Sequence, residues 1–176
     1  MRIQLTKIKG LLLIKAKKFK DSRGFLREIF LEKLIKRKFK FFLISSSRKN
    51  VFRGLHFQLK KPQGKIVSVI KGKIYDVVVD LRKKSKTFGE SYSVILSNDN
   101  CNSLYIPPGF AHGFIGLDKE NIVTYALTQY RSITSENSID WLDKDLKIKW
   151  PTKKVILSNK DKNAKTFKEL EKDKII

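Results

Sequence analysis

Apolar residues in this chain mostly recur in short bursts divided by glycine, proline, asparagine and serine, a rhythm of strands rather than of long helices. Ile3, Leu5 and Ile8 precede Gly10 and an apolar run follows it, which predicts a strand pair, or a strand and a bend, over residues 1–20. Asp21-Ser22-Arg23-Gly24 marks a turn. Residues 29–38 break the rhythm: Ile29, Phe30, Leu34 and Ile35 have roughly helical spacing with charges between them, and predict a helix. Phe41-Phe42-Leu43-Ile44 is too short for a helix and reads as a buried strand within 40–46, followed by loop chemistry over 45–50.

From residue 64 the pattern is plainly β. Residues 66–70 and 74–81 are rich in β-branched side chains, and Lys71-Gly72-Lys73 between them reads as a tight hairpin in which glycine supplies a positive φ. Residues 92–96, 104–106, 114–115 and 122–127 continue the series. Many short strands with regular turns predict a mainly β sandwich or barrel, the jelly roll among the choices. Alternation puts Asp76 and Asp80 on the face that carries Ile74 and Val78. That predicts a lined cavity or a hydrogen-bonded interior, with an exposed sheet face as the simpler alternative. After Trp150-Pro151 the chain turns polar, with a short helix expected near 166–171.

The 176 residues suit one domain, 1–176, with a polar tail from about 162; a domain of this size buries roughly 70% of its unfolded surface without staples. The net charge of +22 draws anions from a distance. Its lysines are spread over the whole length, with no basic stripe interleaved with aromatics, so nucleic acid fits poorly and a small phosphorylated ligand fits better. Cys101 stands alone and cannot form an intramolecular disulfide, which fits a reducing, cytoplasmic setting. The apolar run at 10–14 is too short to span a bilayer. Lysines follow it at once, without a small-residue cleavage site, so neither a signal peptide nor a membrane partner is expected.

Candidate chemistry centres on the two histidines. His56 lies in Val51-Phe52-Arg53-Gly54-Leu55-His56-Phe57-Gln58, where Gly54 lets the backbone turn or approach closely. Alternation there sets His56 and Gln58 on one face and Leu55 and Phe57 on the other. Taken alone, the stretch is most simply a half-buried strand. His112 lies in Ile106-Pro107-Pro108-Gly109-Phe110-Ala111-His112-Gly113-Phe114, too apolar for ordinary surface. Two histidines are too few for an imidazole-rich metal site. No glycine-framed serine or phosphate-cradling glycine loop is present, and Cys101 has no base beside it. Acid–base chemistry without metal or cofactor is what remains.

The ordered set formed by these two stretches with Asp21-Ser22-Arg23-Gly24-Phe25, Gln63-Gly64-Lys65, Asp76-Val77-Val78-Val79-Asp80-Leu81-Arg82, Thr87-Phe88-Gly89 and Leu157-Ser158-Asn159-Lys160-Asp161 resembles the dTDP-4-dehydrorhamnose 3,5-epimerases, from about residue 10 to residue 161. The resemblance implies a mainly β, cupin-like jelly roll with a few short peripheral helices, a homodimer, and a cofactor-free reaction on a nucleoside-diphosphate 4-keto-6-deoxy sugar. A ketone at C4 acidifies the protons on C3 and C5, so such chemistry needs a base on one face, an acid on the other and a cation near the carbonyl oxygen. By resemblance His56 is the base, Asp161 the carboxylate that orients it, Tyr125 the acid and Lys65 the charge beside the enolate oxygen. Arg23, Glu28, Arg53, His112, Glu136 and Lys160 match positions that bind the nucleotide sugar. Asp76, Gln58, Tyr130 and Arg131 are further candidates, Asp76 as a structural group or a second orienter of His56. On the residues alone Tyr125 is equally a core aromatic, and Lys65 one more surface lysine.

The chain departs from the family pattern in places. Phe41-Phe42-Leu43 stands where Gln-x-Asn is common, Arg131 where a second tyrosine follows Tyr130, and Ile133 where a proline is common. These changes leave open the exact sugar, the nucleotide base, and whether both carbons are epimerised. A C3-only or C5-only epimerase of another deoxysugar, and a non-catalytic basic β-domain, stand as alternatives.

Overall fold

The computed structural model describes residues 1–176. Its strands are β1 (Arg2–Leu5), β2 (Leu12–Lys15), β3 (Lys18–Asp21), β4 (Gly24–Arg27), β5 (Phe41–Arg48), β6 (Phe52–Gln58), β7 (Lys65–Lys71), β8 (Lys73–Asp80), β9 (Ser91–Ser97), β10 (Asn102–Ile106), β11 (Phe110–Gly116), β12 (Glu120–Leu127) and β13 (Glu136–Ser138); two short helices, α1 (Asn159–Lys162) and α2 (Phe167–Lys172), follow. Six strands form one sheet in the order β1-β2-β10-β7-β12-β5, five form a second in the order β13-β6-β11-β8-β9, and β3 and β4 make a separate hairpin. All pairings between named strands are antiparallel. This is the jelly-roll sandwich that the short-strand rhythm allowed.

Side-chain alternation sets the layers. Val67, Leu104, Ile106 and Val123 of the first sheet meet Ile74, Val78, Leu96, Phe110 and Phe114 of the second in the core between them. Each such residue, fully buried, contributes about 1.5–3 kcal/mol relative to exposure. The intervening Ile66, Tyr105 and Ala126 face outward, and Ile35 closes over them. On the outer face of the five-stranded sheet Leu55, Phe57, Val77, Val79 and Ile115 are covered by Trp141, Leu146, Phe167 and Leu170. With both faces covered, β11 is buried along its whole length, which is why its sequence, His112 apart, is apolar instead of alternating.

Residues 29–38 form no helix beyond a single 3-10 turn at Glu32–Leu34. Its N-cap is Leu31, with no side-chain oxygen for the free amides. The apolar positions there serve an irregular strap across the six-stranded sheet, where Phe30 meets Phe39 edge to face at 5.0 Å. Gly72 does take a positive φ of 80°, but Lys71-Gly72-Lys73 is a corner and not a hairpin, since β7 and β8 belong to different sheets. The Glu120 carbonyl occupies the space a Cβ would need at Gly72. β5 runs on through Ser45, Ser46 and Ser47 where a loop was expected. It is an edge strand, so Phe42 and Ile44 are 64% and 66% exposed where the pattern predicted burial. The polar tail is pinned by α2, which starts with a capping box of Thr166 and Glu169 and seats Phe167 and Leu170 in the outer core. No helix is long and apolar enough to cross a membrane.

Candidate active site

Between the sheets lies a cavity of about 630 Å³. β6 and β11 bring Arg53, His56 and His112 to it from the five-stranded sheet, while β5, β7 and β12 bring Ser45, Lys65 and Tyr125 from the six-stranded one. Arg131, Glu136, Lys160 and Asp161 complete the lining from the C-terminal part of the chain.

His56 owes its place to a crossing without side chains. Gly54 has φ +145°, and a Cβ on it would collide with the backbone of Gly113; one on Gly113 would meet the Arg53 carbonyl at 2.8 Å. β6 and β11 therefore approach closely enough to make His56 and His112 direct cross-strand partners. Outside the cavity wall Leu55 is packed in the outer core, as the alternation along β6 predicted. The His56 Nε2 lies 2.6 Å from Asp161 Oδ1. Asp161 is buried in α1, and the N-cap Ser158 holds it twice, accepting from its amide at 3.2 Å and donating to its Oδ2 at 2.8 Å. A carboxylate can only accept, so the imidazole proton sits on Nε2 and Nδ1 keeps its lone pair.

His112 Nε2 lies 2.8 Å from Asp76 Oδ2, and both side chains are almost fully buried. Asp76 thus orients His112 and not His56; the alternation that placed it inward was right, but its strand, β8, neighbours β11 and not β6. Burial lowers His112 below the ordinary imidazole value, against the pull of Asp76, so it is a neutral donor or acceptor near pH 7. Burial also takes the Lys65 ammonium down to about 8, opposed by the charges of Asp76 and Glu136. Burial raises the Tyr125 phenol well above its usual value, opposed by a hydrogen bond with Ser45, whose Oγ is 3.3 Å from Tyr125 Oη. Tyr125 keeps its proton, and its ring stands edge to face with His112 at 6.4 Å.

The expected binding residues divide. Arg53 donates to Ser47 Oγ at 2.9 Å and to the Ser46 carbonyl at 3.0 Å, beside the cavity. Glu136 receives Arg131 through two hydrogen bonds, of 3.1 and 2.8 Å, and Lys160 at 2.7 Å. Burial alone would raise its carboxyl; the two cations outweigh that and hold it at about 2. Gln58 lines the cavity, but its amide is spent on the carbonyls of Lys60, Lys61 and Tyr130 and on the Ser132 amide; it positions the 130–132 loop. Tyr130 stacks on Phe41 with ring centroids 5.8 Å apart and is not part of the lining. Arg23 and Glu28 are also outside it: Arg23 pairs with Asp21 at the exposed tip of the β3–β4 hairpin, and Glu28 lies 3.8 Å from the amine of Met1.

Ser45 and Ser158 escaped the sequence reading. Alternation of Phe41, Leu43 and Ser45 along β5 was the available signal for the first, and the Ser-x-x-Asp cap of α1 for the second. No group of three or more His, Cys, Asp or Glu side chains converges as a metal site would require. What the arrangement can do is move protons: an oriented imidazole on one sheet faces a phenol and an ammonium on the other.

The family model described as dTDP-4-dehydrorhamnose 3,5-epimerase matches residues 5–169. The epimerase of that name from Methanothermobacter thermautotrophicus is 42% identical over 172 residues, covering 93% of each chain. The crystal structure of the Legionella pneumophila dTDP-6-deoxy-D-glucose-3,5-epimerase in complex with dTDP-4-keto-L-rhamnose superposes with a TM-score of 0.93 at 42% identity, over 98% of this chain and 95% of that one. A 4-keto-6-deoxy sugar epimerase of the Streptomyces spheroides novobiocin cluster superposes with a TM-score of 0.95 at 28% identity, over 100% and 92%. A jelly roll with an imidazole–carboxylate pair facing a phenol, matched over nearly its whole length by these enzymes, belongs to the dTDP-4-dehydrorhamnose 3,5-epimerase family.

Proposed function

We propose that the chain epimerises a nucleoside-diphosphate 4-keto-6-deoxy sugar, of the dTDP-4-dehydro-6-deoxyglucose type, at C3 and C5 through an enolate. One observation carries this reading: His56 and Tyr125 stand on opposing sheets of one cavity, with Lys65 on the strand beside Tyr125. His56 Nδ1 takes a proton from carbon, and the C–H electron pair moves into the C4 carbonyl as an enolate. Asp161 steadies the imidazolium, and the Lys65 ammonium faces the enolate oxygen, a kind of fixed charge worth about 3–4 kcal/mol at a transition state. Tyr125, kept a phenol by burial, returns a proton to the opposite face of the same carbon. His56 and Tyr125 then re-equilibrate with solvent, and the cycle repeats at the second carbon. The diphosphate meets the cations Arg53, Arg131 and Lys160.

The test is deuterium uptake. In D2O the wild type labels C3 and C5 of dTDP-4-keto-6-deoxyglucose, read by NMR of the product, and His56→Ala labels neither. Wild-type uptake in that variant would remove His56 as the base. Label at one carbon only identifies a mono-epimerase.

We also infer a homodimer acting in the cytoplasm. Phe42 and Ile44 on the edge strand and Phe19, Phe25 and Leu26 on the β3–β4 hairpin are all more than half exposed, apolar surface of the kind a second chain covers.

A further inference from the structure

A second, smaller cavity of about 270 Å³ abuts the first. The two share Phe57, Gln58, Gln63 and Lys65 as a common wall. The smaller one reaches the surface, where Leu59, Pro62 and Lys83, all exposed, line it. Three of the four wall residues carry no titratable proton. Phe57 is apolar, the Gln58 amide is spent on carbonyls, and the Gln63 amide donates to the Gln129 carbonyl at 2.9 Å. Lys65 is the one titratable group that faces both cavities.

The β7–β12 register sets that lysine beside the proposed acid. Lys65 is opposite Leu127, and Val67 is opposite Tyr125. Lys65 and Tyr125 are therefore diagonal neighbours on one face, about 7–8 Å apart at the backbone and within the span of a long side chain. Asp76 and Glu136 act on the ammonium as charges, not as hydrogen-bond partners, so its protons remain available to donate.

We propose that Lys65 is a catalytic proton relay, which reprotonates Tyr125 between the two inversions and is recharged from solvent through the smaller cavity. This rests on the epimerase reading above and deepens it. The first inversion leaves Tyr125 a phenolate and His56 an imidazolium, with substrate between them in the larger cavity. Ser45 is too weak an acid to restore the phenol, and His112 is a neutral imidazole held by Asp76. Burial holds Lys65 at about 8 and raises Tyr125, so a proton passes downhill from ammonium to phenolate. A Lys65 N–H bond breaks as the Tyr125 O–H bond forms, and the neutral amine then takes a proton from water in the smaller cavity. His56, whose side chain is 33% exposed, returns its proton to solvent. One proton enters for each that leaves, and the site is reset with the sugar still bound.

The experiment measures the ratio of product inverted at one carbon to product inverted at both, by NMR at low conversion of dTDP-4-keto-6-deoxyglucose in D2O. Lys65→Arg keeps a cation beside the enolate oxygen but cannot release a proton, because a guanidinium stays charged. It should still invert the first carbon, with the ratio about tenfold or more above wild type. Leu59→Trp leaves every group of the larger cavity in place and narrows the mouth of the smaller one; its ratio should rise too. An unchanged ratio in Lys65→Arg overturns the relay and leaves Lys65 a fixed charge. A rise in Lys65→Arg alone overturns the smaller cavity as the route. Should Lys65→Arg form no product, the Leu59→Trp ratio decides. Label at one carbon only in the wild type also overturns the proposal, since nothing then needs resetting while substrate is bound. If the wild type labels neither carbon, the epimerase reading itself fails; if it labels both and neither variant shifts the ratio, that reading stands and only the relay is lost.

Discussion

In the proposed mechanism Lys65 links rate to pH, because its ammonium is the form that would stabilise an enolate and burial holds it at about 8. The expected kcat/KM falls about tenfold per unit above pH 8. Stability moves the other way. The ordinary lysine value of 10.5 applies to the unfolded chain, so between pH 8 and 10.5 the unfolded state binds more protons than the folded one. Folding is therefore favoured as pH rises through that window, where the cost of burying the ammonium is lifted. Lys65→Met isolates the effect: melting curves should show it more stable than the wild type at pH 7, with the gap closing between pH 8 and 10. A gap that stays constant would mean that Lys65 does not titrate in the fold. Ser45→Ala tests the partner of Tyr125. Loss of one neutral hydrogen bond is worth about 0.5–1.5 kcal/mol, so epimerised product should form about two- to tenfold more slowly. Proton loss to His56, followed as deuterium uptake into unreacted substrate, should continue, raising the ratio of exchange to inversion. A merely structural serine would lower both together.

At the scale of single elements, β6 was the most legible part of the chain. Its period of two put His56 and Gln58 on the cavity side and Leu55 in the outer core, but only beyond Gly54. The register against β11 shifts there, so Arg53, an odd number of residues from His56, lines the cavity too. Gly54 was legible as a close approach, although what approaches, Gly113 of β11, was not. Gly54→Ala should therefore cost about 2–4 kcal/mol, a fall in Tm of roughly 5–15 °C for a chain of this size, and should displace His56 enough to depress deuterium uptake in the fraction that folds. An unchanged Tm would show that the two strands have room to separate. Elsewhere periodicity described a side and left its partner unspecified. The apolar positions of 29–38 were real and do cover the core, but without a cap they cover it as a strap rather than as a helix. Gly72 was correctly given a positive φ, yet a local pattern cannot tell a hairpin from a corner when the choice depends on β12 arriving to fill the space. Asp76 failed in the same way: its inward direction was local information, its partner His112 was not.

For the whole molecule the unsettled residues are Arg23 and Glu28. By resemblance both were expected to bind the nucleotide sugar, yet in this chain they lie outside the cavity, Arg23 on the exposed tip of β3–β4 and Glu28 near Met1. The hairpin that carries Arg23 is also where Phe19, Phe25 and Leu26 are 60%, 53% and 71% exposed. The homodimer proposed above would account for both facts if, with two-fold symmetry, the hairpin of each chain covers apolar surface on the other and brings Arg23 and Glu28 to the other chain's cavity. Complementation separates this from a role within one chain. Arg23→Ala alone should lose most of its kcat/KM at low substrate concentration, and His56→Ala alone should be inactive. Mixed and reassembled in equal amounts, half of the dimers are heterodimers, and each of these pairs one intact cavity with one intact hairpin. About a quarter of all sites, and so about a quarter of wild-type activity, should return. If Arg23 served only its own cavity, no heterodimer would hold a complete site, and the mixture would be no more active than the average of its two components.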